Sequence, residues 1–402
     1  MMEPEIRLKG FEGEWNNPYL KDCLGISLDI NTHNFFGKED VLSVSDEYGV
    51  VNQIKHLGRS YAGKSVSGYK ILRTNQIVYT KSPLREKPFG IVKVNEGPIG
   101  IVSVLYAIYN PENGIYPKYI QRYFEPSKRI NKYLLPLVNK GAKNTMNISD
   151  ETALKGRISI PNSIGEQKAI CDYLDNLDTL IGSSTSRLAS LKQMKAASLQ
   201  AMFPQEGETK PKIRFKGFEE EWEKVKADAI FKTINERNRP DLPVLSATQD
   251  KGMVTRESIG YNVFHDSTNE ATYKHIRPGQ FVIHLRSFQG GFAHSEIEGI
   301  CSPAYTIMEF KDKNINNDKY WSYVLTSRTF IKSLELITYG IRDGRSISYD
   351  EFKEMYFLVP SVAEQRKIAQ YFSSLDKQIA LQSQRLEKLK QIKAACLDKM
   401  FV

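Results

Sequence analysis

The stretch "EQKAICDYLDNLDTLI" (residues 166–181) decides the architecture, because it returns as "EQRKIAQYFSSLDKQI" (residues 364–379) about 200 residues later. Its neighbours return too. "RLASLKQMKAASLQAMF" (187–203) matches "RLEKLKQIKAACLDKMF" (385–401), and "IRLKGFEGEW" (6–15) matches "IRFKGFEEEW" (213–222). A period near 200 is too long for a solenoid repeat and marks a tandem duplication of a whole domain plus a linker.

The repeated linker reads as a long helix. Residues 166–203 contain no proline, and only Gly182 interrupts them. Ser163-x-x-Glu166 and Ser361-x-x-Glu364 read as capping boxes at the two starts. Leu174, Leu177, Ile181, Leu188 and Leu191 fall on a 3-4 spacing, and Phe372, Leu375, Ile379, Leu386 and Leu389 repeat it, as in a coiled-coil seam. Polar breaks recur as well, Ser184 with Gln382 and Lys195 with Lys393. About 37 residues at 1.5 Å each make a rod of roughly 55 Å. Each rod buries its stripe either on its own domain or against the other rod. Two equal rods make antiparallel pairing the simpler expectation, with the domains at opposite ends.

The globular copies have diverged around a shared skeleton. "LSVSDEYGVV" (42–51) aligns with "LSATQDKGMV" (245–254), and "YKILRTNQIVY" (69–79) with "YKHIRPGQFVI" (273–283). Residues 77–79, 91–94, 99–108, 281–285 and 305–310 read as strands, and 119–124 and 320–331 as helices. The expected fold is mixed α/β (α+β), with pseudo-twofold internal duplication. Its parts are a first domain (1–165), a central helix (166–203), a second domain (204–363) and a C-terminal helix (364–402). Trp15 and Trp222 stand at matching positions and read as core anchors rather than stacking platforms.

Composition narrows the function. With 41% hydrophobic and 26% charged residues the chain is an ordinary globular protein, and its formal charge of +9 favours a polyanionic partner. Four scattered cysteines, Cys23, Cys171, Cys301 and Cys396, point to a reducing cytoplasm and against a disulfide framework. The six histidines show no metal-ligand spacing, so no metal site is expected. No leader and no membrane-spanning run is read in the sequence.

"GRSYAGKS" (58–65) fits the letter of the phosphate-loop pattern, but no strand leads into it and no helix pattern follows it. The second copy also lacks it. No nucleophile elbow or H-E-x-x-H motif occurs. Glu296 with Glu298, and Asp312 with Asp318, read as solvated charges, and Cys301 reads as a small buried thiol. No catalytic residue is assigned.

Charge distribution points to DNA. Residues 55–93 hold nine basic residues against one acid, Glu86, and residues 118–143 hold seven against Glu125. The candidate contacts in the first copy are Arg59, Lys64, Arg73, Lys81, Arg85, Lys143, Asn144 and Asn147. In the second copy they are Arg286, Arg342, Arg345 and Ser346. Arginine and lysine hold phosphates, arginine pairs with guanine and asparagine with adenine in the major groove.

The "P-x-x-x-EQ" helix entries, the "L-K-Q-x-K-A-A" helix ends closing on "MF", and the "G-F-x-x-x-W" starts recur in both halves. Together they closely resemble the specificity subunit of type I restriction-modification enzymes. The resemblance spans essentially the whole chain. It implies two target-recognition domains, each reading one half of an interrupted double-stranded DNA sequence, joined by an antiparallel coiled coil. It further implies that the coil docks two adenine-N6 methyltransferase subunits, which restriction subunits then join. S-adenosylmethionine, ATP and magnesium belong to those partners, and this chain carries no cofactor. A free-standing bipartite DNA-binding regulator is the alternative reading.

Overall fold

Helix-forming sequence without proline, bounded by Pro161 and Pro360, produces two helices of 38 residues each, Ile164–Ala201 and Val362–Lys399. The computed structural model describes residues 3–81, 87–140, 146–205, 207–248, 251–259, 267–284, 291–337 and 347–402. The chain divides into two units, each holding part of both helices. Unit 1 is Met1–Thr185 with Gln384–Val402, and unit 2 is Ser186–Ser383.

Both units repeat one topology. In unit 1 four antiparallel strands run in the order Leu24–Ile26, Ala107–Pro111, Ile77–Tyr79, Val92–Val94. In unit 2 the same order is Phe231–Ile234, Thr306–Phe310, Phe281–Ile283, Phe292–His294. Each sheet is accompanied by a hairpin (Leu42–Ser45 with Gly49–Asn52; Leu245–Thr248 with Gly252–Thr255) and a strand pair (Lys70–Leu72 with Gly100–Val102; Lys274–Ile276 with Gly299–Cys301). Gly100 and Gly299 are equivalent. A Cβ on Gly100 would stand 2.6 Å from the Asp40 carbonyl oxygen, and one on Gly299 would stand 2.5 Å from Leu245 Cγ. Only glycine admits so close a neighbouring segment.

Two sequence readings were too continuous. Residues 99–108 form two strands rather than one, because Tyr106 N–H returns to the Ser103 carbonyl and closes a turn. Residues 320–331 likewise divide into the helices Asp318–Val324 and Arg328–Ile337. Apolar content alone does not show where a backbone bond reverses the chain.

The helices bury their stripes both on a domain and on each other. In unit 1, Ile170, Cys171, Leu174 and Leu177 share a core with Cys396, Leu397, Met400, Phe401 and the domain's Trp15 and Tyr119. In unit 2, Leu191, Met202 and Phe203 share a core with Phe372, Leu375, Trp222 and Tyr320. The C-terminal "MF" thus completes the first domain, and the "MF" of the central helix completes the second. Pairing is antiparallel within each unit. Asp178 binds Lys393 at 2.7 Å, and Asp376 binds Lys195 at 2.5 Å, so the recurring seam lysines meet equivalent aspartates. Of the seam residues, Leu174, Leu177, Leu191, Phe372, Leu375 and Leu386 are buried, and Ile181, Leu188, Ile379 and Leu389 are half-buried.

The repeated "EQ" is a clamp, and of the two capping boxes only one half of the second forms, with Ser361 Oγ accepting from Glu364 N–H at 3.4 Å. The Glu166 carboxylate accepts two bonds from Arg7 (2.8 and 2.9 Å) and one from Trp15 Nε1 (3.3 Å). Glu364 does the same with Arg214 (2.9 and 2.7 Å) and Trp222 (3.2 Å). Gln167 accepts from Tyr116 N–H and donates to the Gly114 and Pro161 carbonyls, and Gln365 binds Asn317, Ile315 and Pro360 in the same way. The glutamate serves the distant arginine because a buried carboxylate needs a charged, two-pronged partner, whereas a helix start is satisfied by water or one hydroxyl.

Candidate nucleic-acid interface

In unit 1 the hairpin Leu42–Asn52 runs directly into a short helix, Gln53–Leu57. Asn52 caps that helix by accepting from Lys55 N–H. Gly58 ends it in the left-handed region, at φ 76°, where glycine carries no steric cost. "GRSYAGKS" therefore leaves a helix instead of opening one, the reverse of a phosphate-binding loop. Gln53 folds the segment back on itself. Its carbonyl oxygen accepts from Tyr61 N–H at 2.6 Å and from Ser60 Oγ, and its amide donates to Ser43 Oγ at 3.0 Å. The folded segment displays Lys55, Arg59 and Lys64 to solvent. Arg59 lies over the Tyr61 ring, 4.6 Å from its centroid. No acidic residue pairs with any of these three among the described residues, so their charge is available to a phosphate backbone.

The other described lysines and arginines of residues 55–93 meet acids supplied from elsewhere. Lys70 and Lys81 both bind Asp150, at 2.8 and 2.6 Å. Arg73 pairs with Asp29 at 3.1 Å, and Lys87 and Lys93 pair with Asp46. Burial opposes charge on Asp150, but Lys70 and Lys81 outweigh it and hold its carboxyl below the usual carboxylate range. Arg122, in the second basic stretch, is buried among Glu125, Asp175 and Asp178. Counting charge along the chain therefore overstates the free positive surface.

In unit 2, Arg256 takes the place of Gln53, donating to Ser246 Oγ at 3.3 Å as Gln53 donates to Ser43. Arg237 is exposed on the loop after Phe231–Ile234 and meets only the Asn235 side chain among its described polar contacts. Neither residue stands out in the sequence, because Arg256 is next to Glu257 and Arg237 next to Glu236, in mixed-charge surroundings. Arg85, Lys143, Asn144, Arg286, Arg342, Arg345 and Ser346 lie outside the described residues, and Asn147 lies on the short strand Met146–Asn147.

The residues weighed for catalysis are all engaged structurally. All four cysteines are buried, and burial pushes the Cys171 and Cys301 thiols up to about 12. Glu298 binds His275, Asp318 binds His294 at 2.9 Å, and Glu296 binds Lys319. Among the described residues no group of three metal-ligating side chains converges, and no helix is long and apolar enough to cross a membrane.

The frame is thus a duplicated mixed α/β domain with exposed cations on a braced hairpin of unit 1. Residues 219–391 match the family described as "Type I restriction modification DNA specificity domain". The chain is similar in fold to the type I restriction-modification system S subunit from M. genitalium (TM-score 0.55, 13% identity, 100% of this chain and 99% of that one). It is also similar to the HsdS subunit from Thermoanaerobacter tengcongensis (TM-score 0.50, 14% identity, 96% of each chain). No curated protein matches the chain. Residues 219–391 thus carry a type I restriction-modification DNA specificity domain, and the chain as a whole shares the fold of these S subunits.

Proposed function

We propose that each unit reads one half of a bipartite double-stranded DNA target, and that the helices dock two methyltransferase subunits, with restriction subunits joining that complex in the cytoplasm. S-adenosylmethionine, ATP and magnesium act on those partners. The observation that carries this reading is a repeated, uncovered apolar position on the helices. Met194 is 50% exposed in unit 2, and its equivalent Ile392 is 36% exposed in unit 1. Tyr173, Leu180 and Leu381 are exposed on the same two helices. Two copies of one partner require one surface presented twice, which the duplication supplies.

The test exchanges residues 14–155 for the first domain of another member of the family and maps N6-methyladenine in cells carrying the complex. One half of the methylated sequence should change and the other should stay. A change in both halves would refute the division of labour. A chain that binds a bipartite site alone and co-purifies with no methyltransferase would instead be a regulator.

A further inference from the structure

Unit 1 carries a rim of uncovered apolar side chains that has no counterpart among the described residues of unit 2. Leu28 is 83% exposed, Phe35 80%, Leu105 62%, Val104 54% and Ile30 46%. They come from two segments that the backbone holds side by side. Ser27 N–H donates to the Ile108 carbonyl, Ile71 N–H to the Asp29 carbonyl, and Ile30 bridges Lys70, whose strand partner is Val102. The turn after Val102 is fixed by Tyr106 N–H to the Ser103 carbonyl and by Leu105 N–H to Ser103 Oγ. The loop carrying Phe35 is pinned by Asn31, whose amide donates to the Phe36 and Val66 carbonyls. These side chains are therefore exposed on a built frame.

The same frame in unit 2 carries different chemistry. Tyr305 N–H bonds the Ser302 carbonyl and Ala304 N–H bonds Ser302 Oγ, so the turn is preserved while its tip becomes Pro303–Ala304. His275 N–H bonds the Glu236 carbonyl as Ile71 bonds Asp29, which places Asn235 and Arg237 where unit 1 has Leu28 and Ile30. Two copies of one methyltransferase would demand the same surface from both units. The partner that presents a different face to each unit is the asymmetric DNA.

We infer that this rim is the first domain's base-reading surface and that it recognises thymine C5-methyl groups in the major groove. An apolar side chain discriminates base edges through that methyl, the one apolar group there. Lys55, Arg59 and Lys64 in the same unit supply phosphate contacts, with no acidic partner among the described residues to hold them back. The inference rests on the DNA-reading function proposed above.

The experiment uses the complex of this chain with its methyltransferase subunits. Duplexes carry deoxyuridine in place of every thymidine of the half-site assigned to the first domain, or of the other half-site. Burial of one methyl corresponds to roughly a three- to fourfold change in affinity. Binding should weaken by that factor for each contacted methyl in the first half-site. The double variant V104A/L105A should bind more weakly and no longer distinguish the two duplexes. Both positions are exposed, so folding should be unchanged. Equal binding of thymidine and uridine duplexes by the wild-type complex would overturn the inference. So would loss of methyltransferase co-purification in the variant with discrimination retained, which would make the rim a protein-docking surface. A complex that selects no DNA sequence at all would fail earlier, at the proposed function itself.

Discussion

Arg7 and Glu166 lie 159 residues apart in sequence and form a two-pronged ion pair, with Arg214 and Glu364 repeating it across 150 residues. Each pair fastens the first residues of a domain to the first turn of the helix that follows that domain. Because Trp15 and Trp222 donate to the same carboxylates, one buried glutamate closes each domain on itself.

Glu166→Ala would strip Arg7 of its carboxylate, leaving it only the Gly13 carbonyl, and leave the buried Trp15 N–H unsatisfied. The expected loss is about 3 kcal/mol, confined to unit 1. Glu364→Ala should destabilise unit 2 in the same way. Hydrogen exchange resolved by segment checks this, and equal loosening of both units by either variant would count against the clamp.

The two helix junctions should differ in acid. Burial opposes charge on Glu125 and Asp175, but Arg122 with Lys393, and Lys118 with Arg122, hold both carboxyls below their ordinary values. A lowered folded value contributes stability that is present above about pH 4.5 and lost as pH falls through it. At the equivalent place in unit 2, Tyr323 replaces Arg122 and donates a neutral hydroxyl to Asp376 at 2.8 Å. Exchange protection of residues 170–178 should therefore fall, as pH drops below the ordinary carboxylate values and through the lowered folded ones, before that of residues 368–376. Parallel loss would show that the charge network contributes little.

Lys64 and Lys81 separate free from committed charge. Lys64→Ala should weaken DNA binding similarly on all sequences and lower the salt slope by about one. Lys81→Ala should leave that slope almost unchanged, because Asp150 already holds its ammonium, and should lower stability by about 1 kcal/mol. Titrations at several salt concentrations distinguish the two.

Replacing Met194 and Ile392 together by aspartate should abolish co-purification of methyltransferase subunits at unchanged melting temperature, since both positions are exposed. Phe401→Ala behaves oppositely. Its ring packs on Tyr119 at 5.3 Å and under Arg129 at 4.9 Å, so unit 1 should lose about 3–5 kcal/mol. Persistent co-purification in the first variant would place the docking surface elsewhere.

The helices, their seam and the shared domain skeleton were legible because periodicity and repetition are local properties that survive in one dimension. The interface was legible only in outline. Arg59, Lys64, Lys81 and Arg73 read alike as candidate contacts, but the structure gives Lys81 a neutralising Asp150 that stands 69 residues away and Arg73 an Asp29 that stands 44 away. Residues 99–108 read as one strand, which hid Val104 and Leu105 inside a ladder they do not join.

The amino-acid sequence by itself determined that this protein is a duplicated domain on two matched helices, since an apolar stripe of fixed period has few ways to be buried. Tertiary structure alone decided what each side chain is free to do. It took Glu166 and Glu364 from the helix caps to the domain clamps, neutralised more than half of the densest basic stretch, and left the rim of Leu28, Ile30, Phe35, Val104 and Leu105 uncovered in unit 1. Ion pairing and burial depend on which residues meet in space, and here the decisive partners come from tens to more than a hundred residues away.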